Sequence, residues 1–93
     1  MVIGIIAWEL EVFGCQSLKE KRSVIKSLKD RLHDRFNISV AETGHHDRWQ
    51  RAELTGCVVA HEKQHAESVL ASADALVNGE ARARVIDSYR SFR

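Results

Sequence analysis

The sequence predicts an α+β domain of the ferredoxin-like class, a split βαβ arrangement (β-α-β-β-α-β) with a four-stranded antiparallel sheet and two helices on one face. Three observations predict it. Residues 2–13 alternate in facing, two stretches repeat their apolar residues at steps of three and four, and shorter strand-like runs lie between and after those stretches. Residues 1–93 form one small domain with room for a single core, without proline, linker or internal repeat.

The first strand, Val2 to Phe13, points Val2, Ile6, Trp8, Leu10 and Val12 to the core and Ile3, Ile5, Ala7, Glu9 and Glu11 away from it. Gly14-Cys15-Gln16 turns into a helix from Ser17 to Phe36. Ser17 and Glu20 form a capping box, and Leu18, Ile25, Leu28, Leu32 and Phe36 make its apolar stripe. Asn37 stops the helix, and Ile38–Ala41 reads as a short strand. Thr43–Asp47 is a polar loop, and Trp49–Ala60 is a third strand with Ala52, Leu54, Gly56, Val58 and Ala60 inward. Glu62–Val77 is the second helix, and Asn78-Gly79 is expected to end it in a left-handed cap. Ala83–Phe92 is the last strand. Its facing is ambiguous, because Ile86 and Phe92 suggest one phase, Val85 and Tyr89 the other.

Composition narrows the setting. No run is long and apolar enough to span a bilayer, which predicts no membrane partner, and the start lacks the pattern of a signal peptide. Two cysteines, Cys15 and Cys57, are too few for a disulfide scaffold and lack zinc spacing, so a cytoplasmic protein with reduced thiols is expected. Net charge is only +1, yet Lys19 to Arg35 holds seven Lys/Arg against three Asp/Glu. Lys19, Arg22, Lys26, Lys29 and His33 fall on one side of the helix beside its apolar stripe. Segregated charge of this kind suits an anionic partner, although it also occurs on plain solvated helices.

Gln16-Ser17-Leu18-Lys19-Glu20-Lys21-Arg22 and His46-Asp47-Arg48-Trp49-Gln50 resemble the YlxP-like family of small bacterial proteins. The likeness runs from the first strand to the second helix. It implies a ferredoxin-like fold and no established activity, and the family's gene neighbours suggest business with RNA or ribosomes. The chain departs from the family pattern at its end, where Ser88–Arg93 is basic.

The topology places the start of the basic helix and the loop after the second strand at the same end of the molecule. There Gln16, Ser17, Lys19, Arg22, His46, Arg48 and Trp49, with Lys26 and Lys29 continuing the stripe along the helix, are candidates for contact with RNA or a phosphate: helix N–H groups and cations for the charge, Trp49 for a base. A tryptophan at a strand start is more often a partly buried anchor than a stacking platform. The second candidate surface is the uncovered sheet face, where Ile3 and Ile5 should cluster with Cys57 and Val59 as a homodimer interface. His61-Glu62-Lys63-Gln64-His65 matches H-E-x-x-H, but His61 falls at a strand–helix junction and no third ligand approaches. Cys15 stands before a helix N-terminus without a base. No catalytic residue, metal or cofactor is therefore expected. The two functional expectations are an accessory factor binding RNA or ribosomal particles, and a homodimerising protein-interaction module.

Overall fold

Eleven residues with strict alternation make β1 (Val2–Val12), one of two inner strands in a computed structural model that describes residues 1–93. Ile6, Trp8, Leu10 and Val12 are fully buried on one side of it. The other elements are α1 (Leu18–Arg35), β2 (Ser39–Gly44), β3 (Arg51–Ala60), α2 (Lys63–Asn78) and β4 (Ala83–Phe92). The sheet order is β2-β3-β1-β4, with every neighbouring pair antiparallel. Both helices pack on the face formed by the even-numbered residues of β1 and β3, and the opposite face has no covering layer. This is the split ferredoxin-like arrangement that the sequence predicts.

The core consists of facing apolar stripes. α1 contributes Val24, Ile25, Leu28 and Leu32, α2 contributes Ala66, Leu70, Ala73 and Val77, and Leu54 and Val58 of β3 meet them from the sheet. At Gly4, a Cβ would come within 3.1 Å of Leu70 Cδ1 and 3.2 Å of Val58 Cγ1. The bare glycine therefore lets α2 lie close to β1. Buried Trp8 donates its indole N–H to Asp74 Oδ1 of α2 at 2.9 Å, which satisfies the one polar atom of that large side chain.

The structure departs from the sequence reading at four places. Ile38 is buried in the turn ahead of β2, which starts at Ser39 and runs to Gly44. β3 begins at Arg51, so Trp49 belongs to the loop. Gly79 caps α2 at φ −82°, ψ −2°, not left-handed, because its N–H folds back onto the carbonyls of Ala75 and Leu76 in a tightened last turn. In β4 the register slips opposite Glu9/Leu10, where Asp87 faces Glu9 and Val85 faces Leu10. Ile86 is the extra residue of a bulge. Val85 faces the core before it and Phe92 after it, so both phases suggested by the sequence exist in one strand. No helix is long and apolar enough to cross a membrane.

Candidate interaction surfaces

At the start of α1, Ser17 is extended and its hydroxyl accepts the Glu20 N–H at 3.1 Å. The Glu20 carboxylate in turn accepts the Gln16 N–H at 2.8 Å. The cap thus already occupies the Ser17 hydroxyl, a group expected to meet a phosphate, together with the backbone N–H of Gln16, and puts a carboxylate at the helix mouth. The remaining candidates are side chains further along.

Lys21 is the organising residue of this end, and sequence reading missed it. It is 0% exposed. Its ammonium donates to the carbonyls of His45 (2.7 Å), His46 (3.3 Å) and Arg51 (3.3 Å), and Glu42 Oε2 stands 3.1 Å away as the counter-charge. The three carbonyls use all the donors of the ammonium, so the carboxylate balances charge without being its hydrogen-bond acceptor. One helix side chain therefore fixes both feet of the β2–β3 loop. A signal for it existed: Lys21 lies one turn before Ile25 and two before Leu28, on the apolar stripe.

The loop is held at further points. His45 adopts φ 60°, a left-handed conformation, with its ring Nε2 2.7 Å from Glu9 Oε1. Arg48 N–H bonds to the His45 carbonyl, His46 Nε2 lies 3.1 Å from the Glu42 carbonyl, and Val12 N–H reaches the Gln50 carbonyl at 2.9 Å. Arg48 and Trp49 project from this frame, and Trp49 is 51% exposed. About half of its surface is covered, and it lies in the loop, not at the start of β3.

The structure divides most of the predicted cationic residues between two depressions, one along the middle of α1 and one at the loop, and Lys19 lines neither. Arg22, Lys26 and Lys29 line the first with Asp30, His33 and Glu42, between α1 and β2. Arg48 and Trp49 line the second with Glu11, Asp47, Gln50 and Arg51. Lys26 is partly neutralised by Asp30 at 2.7 Å, a hydrogen bond that raises the pKa of the amine and lowers that of the carboxyl. Lys19, Arg22, Lys29 and Arg35 of α1, Arg48 of the loop and the terminal Arg93 have no carboxylate partner, whereas all other Lys and Arg do.

On the open sheet face, Ile3 pairs with Val59 and Ile5 with Cys57. Ser39 stands beyond Cys57 on β2, and Ser91 beyond Ile5 on β4. Val59 and Tyr89 are each 63% exposed. Towards the other end the face becomes charged, with Glu9 opposite Glu53 and Asp87, and Glu11 one step further between Arg51 and Arg84.

Glu62 is the N-cap of α2, so His61 stands before the helix and His65 on it, and both are exposed. Burial raises the pKa of Cys15 and the Glu20 carboxylate adds to it, the opposite of what activates a thiol.

A family model described as "Protein of unknown function (DUF503)" matches residues 3–90. The "Uncharacterized protein YlxP" of Bacillus subtilis (strain 168) is 35% identical over 69 residues, which span 74% of this chain and 75% of that protein. Among solved structures, SnoaB, a cofactor-independent oxygenase from Streptomyces nogalater, superposes with a TM-score of 0.55 at 11% identity, over 99% of this chain and 90% of its own. A de novo designed protein with ferredoxin fold gives 0.52 at 14% identity, over 100% of this chain and 85% of its own. At such identities the two structures share the fold and nothing more.

Proposed function

This chain belongs to the DUF503 family, and we propose that it works as a protein-interaction module that pairs with a second copy of itself through the open face of its sheet. The observation that carries this reading is the register that sets Ile3 against Val59 and Ile5 against Cys57 on a face that nothing covers. An uncovered apolar patch is an interaction surface in search of a partner. Charge on that face selects the geometry. A two-fold axis lying in the interface across the strands near Ile5 and Cys57 stacks the two apolar halves and sends the Glu9, Glu53 and Asp87 ends in opposite directions. Pairing edge to edge is less suited, since both edge strands are bulged, β2 at Thr43 and β4 at Ile86.

The test is sedimentation equilibrium. Wild type is expected to be a dimer and Ile5→Glu a folded monomer. Mild oxidation should cross-link the wild type through Cys57. A wild type that stays monomeric at every concentration sinks the reading.

A second reading rests on a different observation: Lys19, Arg22 and Lys29 follow one another along α1 without carboxylate partners. Unpaired cations at steps of one and two helical turns suit the backbone of RNA, free or in a ribosomal particle, and the sheet-face dimer would leave both helices exposed. Binding of structured RNA and ribosomal subunits should then fall steeply with added salt and vanish in Lys19→Glu/Arg22→Glu. Equal binding by the variant would make the stripe an ordinary solvated face.

A further inference from the structure

We infer that the loop between Gly44 and Arg51 is a prebuilt site for one unpaired base of a single-stranded nucleic acid, stacked on Trp49 while Arg48 meets an adjoining phosphate. This inference deepens the RNA reading by naming the form of nucleic acid and a different contact surface. Its starting point is a mismatch between order and exposure. A loop held by Lys21, His45, His46 and Gln50 could have folded its one large ring inward, yet Trp49 stands 51% exposed.

The surroundings of Trp49 say what it suits. The depression beside it has a volume of about 510 Å³ and is lined by Glu11, Asp47, Arg48, Trp49, Gln50 and Arg51, with the tryptophan as the one apolar member. A protein hot spot wants a dry apolar pocket around its anchor. A nucleobase needs one flat ring, a cation for its phosphate and polar atoms for its edge, and that is the composition here.

The charges divide accordingly. Arg84 holds Glu11 at 3.1 Å, and Arg51 stands 3.5 Å from Glu9, so the charges of Glu11 and Arg51 are balanced. Arg48 and Asp47 have no ion-pair partner. One free cation serves one phosphate, and the Asp47 carboxylate next to it disfavours a second while offering an acceptor to a base N–H. The site therefore fits a base with one phosphate and not a duplex backbone. A-form duplexes keep their bases stacked inside and present no free π-face.

Lys21 enters as a positioning residue. It touches no ligand, but its contacts with His45, His46 and Arg51 fix the two feet between which Trp49 stands. Trp8 is fully buried, so quenching of tryptophan emission by an added ligand reports on Trp49.

The experiment titrates the full chain with a short single-stranded RNA, the same sequence as a duplex, and inorganic polyphosphate at one salt concentration. The single strand is expected to quench, and the other two are not. Trp49→Ala, an exposed position that leaves the core intact, should weaken single-strand binding about tenfold, read by anisotropy of labelled RNA. Trp49→Phe should restore most of it, and Lys21→Met, if folded, should weaken it while leaving both Trp49 and Arg48 in the chain. Equal quenching by polyphosphate or duplex overturns the inference, as does Trp49→Ala binding like wild type. Should binding need Lys19 and Arg22 but ignore Trp49, the helix reading stands and this one falls. Should it need Trp49 but survive Lys19→Glu/Arg22→Glu, the loop site stands and the helix reading falls.

Discussion

Lys21 is a charge buried where the fold needs a strut. Its removal leaves three carbonyls without their donor and the Glu42 carboxylate, whose Oε2 has no hydrogen bond, without its counter-charge. Lys21→Met should therefore cost about 2–4 kcal/mol in urea unfolding at neutral pH. The double variant Lys21→Met/Glu42→Leu should recover part of that loss. A cost below about 1 kcal/mol would mean that water replaces the ammonium freely, as it does at exposed pairs. Asp74 plays a comparable role across the core, accepting from the Trp8 indole (2.9 Å) and Arg90 (3.3 Å). Asp74→Ala should cost about 1–3 kcal/mol, because a buried indole N–H is left without an acceptor. Calorimetry with Asp74→Asn beside it separates the lost acceptor from the lost charge.

At the level of elements, the strands and helices were legible because their periods are clean: β1 alternates over its whole length, and α1 carries a cap, an apolar stripe and a charged stripe. What the sequence hid is local. A lysine at a core position reads as charge until the loop that answers it is known, and that loop is more than twenty residues away in the chain. The facing of β4 was illegible for a different reason. A one-residue bulge exchanges the two faces midway, so no single phase fits Val85 and Phe92 together. The end of α2 illustrates a third limit, since Asn-Gly permits a left-handed cap without requiring one. At Gly79 the φ of −82° is open to any L residue, and an added Cβ would meet nothing closer than 3.4 Å. Gly79→Ala is accordingly expected to be neutral or stabilising by up to about 1 kcal/mol, through the unfolded chain. A clear loss in thermal stability would show that the helix end needs a glycine after all.

Across the whole molecule, one carboxylate ties α1 to the approach of β4. Glu80 is buried at the turn after α2 and accepts from Arg31 of α1 and from the backbone and side chain of Arg82. The Arg82 hydrogen bonds hold its pKa at about 2, against 4.5 ordinarily, despite the opposing effect of burial. A depressed carboxyl pKa favours the folded state fully above pH 4.5, and that contribution disappears as the pH falls towards 2. Both arginines are nearly half exposed, so solvent screening reduces it to the order of 1–2 kcal/mol. Glu80→Gln should flatten the acid limb of a stability–pH curve and leave its shape above pH 5 unchanged. The sheet order has a consequence in time as well as in space. Of these elements β1 leaves the ribosome first, and its second neighbour leaves last: Gly4 waits for Phe92, and Trp8 for Ser88. Closing a loop of that length costs roughly 4 kcal/mol of chain entropy before any pairing repays it. Until residue 83 has emerged, one edge of the most apolar strand is bare. Folding of this domain is thus gated by the emergence of β4, and a chain stopped at Arg82 should expose that edge, bind hydrophobic dyes and aggregate.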